Sequence, residues 1–153
     1  RHVFLLPGIM LILLGWLPII ALVSGPLIIG RFFFDFHYMI AGSALAILGL
    51  QLITLGIHGK AYLIAHHLEQ PDRLMNSVRR HFTLERGLLL GLILITSGVA
   101  LAIQIIIMWA QHGFENIFEL RSGLVALTLG VSGTQIVFSS LFLSLLQLEA
   151  RKD

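Results

Sequence analysis

The run Gly87-Leu88-Leu89-Leu90-Gly91-Leu92-Ile93-Leu94-Ile95-Thr96-Ser97-Gly98-Val99-Ala100-Leu101-Ala102-Ile103-Gln104-Ile105-Ile106-Ile107-Met108-Trp109-Ala110 contains no charged residue. A helix rises about 1.5 Å per residue, so roughly 20 apolar residues cross a hydrocarbon core about 30 Å thick. The stretch therefore reads as a membrane-spanning helix. Val3–Ile29, Tyr38–Ala65 and Ser122–Leu148 meet the same test, and the four spans take up most of the 153 residues. Of the whole chain 57% is hydrophobic and 12% charged. A soluble domain needs about 25% charged residues to cover its surface, so that class is excluded. The absence of cysteine removes disulfides and thiolate chemistry.

The first span begins behind Arg1-His2, which is also how a signal peptide opens. Its apolar run far exceeds a signal core of about 7–15 residues, so it is read as a true span. A start at Arg1 rather than methionine leads us to expect a processed product or part of a longer chain.

Charge gives the orientation. The segment between spans two and three holds Lys60, Arg73, Arg79, Arg80 and Arg86, together with His66, His67 and His81. With Arg1, Arg151 and Lys152 this places eight of the ten basic residues on one side, against Arg31 and Arg121 on the other. The positive-inside rule then puts both termini and the central connection in the cytoplasm. Within that connection Leu74, Met75, Val78 and Phe82 share one helical face and the arginines lie elsewhere. Such spacing predicts a short amphipathic helix in the headgroup layer. Thr83 is placed to cap span three, with Glu85 set favourably against the positive end of its dipole.

The halves repeat. Gly8 and Gly15 recur as Gly91 and Gly98, 83 residues on, and Gly49 and Gln51 recur as Gly133 and Gln135, 84 residues on. Each half begins and ends on the same side, so the repeat is parallel, about an axis along the membrane normal. The predicted fold is an all-α membrane protein, with four transmembrane helices in two parallel-repeat hairpins and a short cytoplasmic amphipathic helix between spans two and three. It forms one domain over residues 1–153, with halves at about 1–65 and 85–150 and an interfacial linker at about 66–84.

Packing is read from small residues. Gly8/Gly15, Gly42/Gly49/Gly56, Gly91/Gly98 and Gly123/Gly130 are spaced seven apart along single faces, and Gly87 with Gly91 forms a GxxxG. In lipid, close backbone approach and interhelical hydrogen bonds hold a bundle together. Gln51, Thr54, Gln104, Thr128, Ser132, Thr134 and Gln135 are placed to supply the latter.

Catalytic signals are missing. No Asp, Glu, Lys or Arg lies deep in a span, which argues against proton relays and ion paths. His58, near the end of span two, is a weak candidate ligand for a heme or chlorophyll, because no second histidine lies at matching depth; His66-His67 is an equally unsupported metal pair. Ser139-Ser140 has no neighbouring base, and no zinc spacing or phosphate loop occurs.

Four strings, in order, carry a resemblance: Phe4-Leu5-Leu6-Pro7-Gly8, Pro71-Asp72-Arg73, Phe82-Thr83-Leu84-Glu85-Arg86-Gly87-Leu88, and Gln135-Ile136-Val137-Phe138-Ser139-Ser140-Leu141-Phe142-Leu143-Ser144-Leu145. Together they resemble the C-terminal membrane region of bacterial family 2 glycosyltransferases of the dolichol-phosphate mannosyltransferase type. The resemblance implies a catalytic GT-A domain upstream, holding a divalent metal (Mg or Mn) and moving a sugar from a nucleotide sugar to a polyprenyl phosphate. This chain has no counterpart of that domain's metal motif, so no catalytic residue, metal ligand or cofactor is assigned in it. The implied role is to anchor the enzyme in the bacterial inner membrane and to hold the lipid acceptor. Lys60, Arg73, Arg79, Arg80 and Arg86 are the candidates for its phosphate, since arginine makes strong charge-assisted contacts with phosphate. The alternative is a non-catalytic membrane subunit packing through its glycine faces into a larger complex. The implied partners are membrane lipid, the upstream domain or a partner subunit, and a second copy of the chain; nothing points to nucleic acid.

Overall fold

A computed structural model describes residues 4–29, 32–66, 68–70, 73–81, 83–111 and 120–149. In chain order the elements are α1 (Leu5–Leu22), β1 (Leu27–Ile29), β2 (Phe32–Phe34), α2 (Phe36–Ala65), α3 (Arg73–His81), α4 (Leu84–Gln111) and α5 (Leu120–Glu149). Helices α1, α2, α4 and α5 are long and apolar enough to cross a membrane. The protein is an integral membrane protein.

The first span is shorter than composition predicts, ending at Leu22 rather than Ile29. Gly25 takes a φ of +155°, which the left-handed side of the map reserves largely for glycine, and Pro26 has no N–H with which to continue a helix. The apolar residues beyond them form an antiparallel ribbon instead, in which Leu27 faces Phe34 and Ile28 faces Phe33. At the other junction the Gly87 amide donates to the Thr83 carbonyl at 3.0 Å, and Glu85 lies in the first turn of α4. Thr83 thus stands at the N-cap.

Helix α1 packs mainly on α2 and α4 mainly on α5, while α2 and α5 join the two pairs. Glycine sets the closeness of each pair. A methyl group on Gly8 would meet the Gly49 carbonyl at 2.9 Å and the Ile53 side chain at 2.6 Å, and one on Gly15 would strike the backbone of Gly42 and Ala46. In the second pair, one on Gly91 would meet the Gly133 carbonyl at 2.8 Å and Val137 at 2.6 Å, and one on Gly98 the Ala126 carbonyl at 2.7 Å and the Gly130 amide at 2.9 Å. In both pairs the contacts climb one helix as they descend the other, so each pair is antiparallel. The second set of contacts repeats the first with every residue number raised by 83 in the first helix and 84 in the second.

Between the pairs the pattern changes. Asp35 meets Arg121, Ser43 meets Thr128, Thr54 meets Gln135 and His58 meets Ser139, so the numbers rise together and α2 and α5 run in the same direction. The start of α1, the end of α2, the start of α4 and the end of α5 consequently share one end of the bundle. Helix α3 stands at that end too. Its Met75 is buried and lines a small cavity of about 60 Å³ with Phe4, Leu5, Gly56 and Lys60, while Arg73 and Arg80 are exposed. The side chains of Leu74 and Arg79, and residue Phe82, lie outside the described residues.

Candidate functional site

The basic end is assembled from three elements. Lys60 projects near the end of α2, with its Nζ 4.0 Å from Glu69 Oε1, and its side chain is 20% exposed. Arg73 and Arg80 are exposed on α3, and Arg86 is exposed in the first turn of α4. The fold thus gathers Lys60, Arg73, Arg80 and Arg86 at one end, 26 residues apart in sequence at most. Arg79 sits on the same short helix.

Below that belt the interface between α2 and α5 is polar. Each threonine in it returns its own hydrogen to its helix and accepts one from the neighbour. Thr128 donates to the Leu124 carbonyl at 2.7 Å and accepts from Ser43 at 2.6 Å; Thr54 donates to the Leu50 carbonyl at 3.0 Å and accepts from Gln135 Nε2 at 3.1 Å. Every described buried side-chain polar atom has a partner. This matters in lipid, where no water replaces a missing hydrogen bond. His58 shares a 2.7 Å hydrogen bond with Ser139, and its ring stacks at a tilt on Phe142 with centroids 4.7 Å apart. The pairing engages Nε2 of His58 with Ser139, so the imidazole serves the helix interface. Sequence reasoning missed it because residues 81 apart give no local signal.

At the opposite end Arg121 Nη2 donates to Asp35 Oδ1 at 2.9 Å. The Phe36 amide and the Arg121 guanidinium hold the Asp35 carboxyl below the usual carboxylate range.

Glycines at the predicted packing positions fall into two groups. Gly8, Gly15, Gly42, Gly49, Gly91 and Gly98 face a neighbouring helix directly, Gly56 faces Phe4, and Gly87 is buried. A methyl group on Gly123 or Gly130 would instead enter open space, in a groove of about 910 Å³ between α4 and α5 that reaches Gln51 of α2. Gln51 is exposed there, whereas Gln135 reaches across to Thr54.

A scan of family models matches residues 57–147 to the glycosyltransferase family 2 C-terminal transmembrane region. That is more than half of the chain. The chain belongs to this family. The family 2 transmembrane region implies membrane anchoring of a glycosyltransferase, and the match runs from the end of α2 across α3 and α4 into α5, so it includes the basic belt and the α4 and α5 lining of the groove. Searches of curated proteins and of solved structures give no significant match.

Proposed function

We propose that this region holds a polyprenyl phosphate, with the phosphate at the basic belt, for a glycosyltransferase whose catalytic domain lies elsewhere in the parent protein. The observation that carries the reading is the convergence of Lys60, Arg73, Arg80 and Arg86 from α2, α3 and α4 at one end of the bundle. An anion of lipid lies at headgroup depth, and arginine presents a planar fork of donors matched to phosphate oxygens. The family supports a transferase as parent, and the belt supports its placement on the cytoplasmic side of a bacterial inner membrane by the positive-inside rule. Donor binding and its divalent metal belong to the catalytic domain. The recurrence of contacts at offsets of 83 and 84 supports a duplicated hairpin, with its twofold axis along the membrane normal between α2 and α5.

Charge reversal tests the assignment. In the full-length enzyme, R80E with R86E lowers turnover of a polyprenyl phosphate by at least about ten-fold, equivalent to 1.4 kcal/mol, while the protein remains in the membrane fraction. Loss of protein in step with activity, or undiminished turnover, refutes the reading.

A further inference from the structure

The groove has a counterpart that is filled. In the first hairpin Ile19, Leu22 and Met39 form a tight cluster, at most 2% exposed, with Trp16 packed against it. Raising these numbers by the repeat offsets of 83 for α1 and 84 for α2 gives Ala102, Ile105, Gly123 and Val99. All four line the groove. Isoleucine has become alanine, methionine has become glycine and tryptophan has become valine. The same architecture therefore carries a plug in one half and, through loss of side-chain volume, a trough in the other.

The position of the trough decides what it suits. It runs along α5 from Gly123 to Phe138, 15 residues or about 22 Å at 1.5 Å per residue. Phe138 adjoins Ser139, whose partner His58 lies two residues from Lys60, so one end of the trough stands at the level of the basic belt. The other end stands just inside Arg121. Its walls are Val99, Ile106, Leu127, Val131 and Phe138, and it opens sideways to hydrocarbon. An acyl chain rooted in one leaflet covers only that leaflet's share, about 15 Å, of the core. A chain rooted at the belt and filling the whole trough must be longer.

We infer that the trough between α4 and α5 receives the distal part of the acceptor's polyprenyl tail and so selects acceptors by chain length. The inference rests on the proposed function and adds to it the part of the lipid that is read. Lipid surrounding the protein is as apolar as the trough, so hydrophobic transfer contributes little; selection comes from close dispersion contact along a shaped wall.

The test restores the plug. In nanodiscs, the chain and its A102I/G123M variant are labelled with a diazirine-tagged polyprenyl phosphate, with unlabelled undecaprenyl phosphate or farnesyl phosphate as competitor. Gly123 faces open space, so methionine fits there. Leu127→Trp offers a second way to narrow the trough, and Leu13→Trp, at an α1 residue that is itself 65% exposed, is the control. The expected result is labelling of α4 and α5 that undecaprenyl phosphate competes about five-fold better than farnesyl phosphate, a difference near 1 kcal/mol that the trough variants abolish and the control keeps. Equal competition by both lipids, or labelling unchanged in both trough variants, overturns the inference while saturable labelling still upholds acceptor binding. Absence of saturable labelling with any polyprenyl phosphate overturns the proposed function itself. Cysteine crosslinking between two copies through position 123 in the membrane would make the trough an interface between chains and also overturn the inference.

Discussion

Asp35 and Arg121 pair at the end of the bundle away from the basic belt, and the hydrogen bonds that Asp35 accepts from the Phe36 amide and Arg121 should make stability there depend on acid. The Asp35 carboxyl titrates below its ordinary range because the Phe36 amide and Arg121 favour its charged form. A depressed carboxylate contributes stability that is present above the unfolded value of about 3.9 and is lost as pH falls through the folded one. Thermal midpoints in nanodiscs should accordingly drop more steeply below about pH 4 for the native chain than for Asp35→Asn, which starts lower at neutral pH. Parallel curves for the two proteins would show the pair to be inert. At this scale the sequence was only partly legible. Arg121 and Asp35 are conspicuous charges at span ends, but nothing local joins residues 86 apart. Likewise His58 invites thoughts of a ligand until Ser139 is seen beside it.

Between elements, glycine decides how near the helices stand. Gly15 and Gly98 sit where an added methyl group meets backbone, which cannot swing aside as a flexible side chain does. Gly15→Ala and Gly98→Ala should each destabilise the bundle by about 1–3 kcal/mol, the usual cost of overpacking, and Gly123→Ala should be close to neutral. Unfolding in mixed micelles checks the order; a Gly123→Ala loss equal to the other two would contradict the described open space. Heptad spacing of glycine was readable in the sequence and identified these faces. It could not separate Gly123 from Gly98, because the difference lies in what stands opposite. The early end of α1 had a signal in Gly25-Pro26, but the apolar Leu27-Ile28-Ile29 beyond it extended the hydrophobic run and masked the turn to a ribbon.

As a whole the molecule consists of two antiparallel pairs joined through α2 and α5. Their shared face uses polar pairs in place of the glycine contacts seen within each pair. Hydrogen bonds between membrane helices contribute about 0.6 kcal/mol each on average and at most about 1.7, so register here depends on several acting together. A break introduced between residues 66 and 73 should therefore leave two halves that copurify when coexpressed, and Thr128→Val with Gln135→Leu should weaken that association. Halves that separate before any substitution would place the cohesion in the covalent linker instead. The four membrane helices were the most legible feature, because span length and hydropathy act over many positions at once. The trough was not legible, since it arises from volume lost at Val99, Ala102 and Gly123 relative to distant counterparts.

The shared direction of α2 and α5 has an electrostatic result. Aligned peptide dipoles leave roughly half a negative charge at the C-terminal end of each helix, and adjacent parallel helices bring two such ends together. Here they lie at the end carrying Lys60, Arg73, Arg80 and Arg86. The N-terminal ends of α1 and α4 stand at the same end with the opposite sign, so the four helix dipoles nearly cancel there and the cationic field is set by the side chains. The attraction of anionic lipid to this end should accordingly follow the number of basic side chains, at about 1 kcal/mol for each, with little contribution from the backbone.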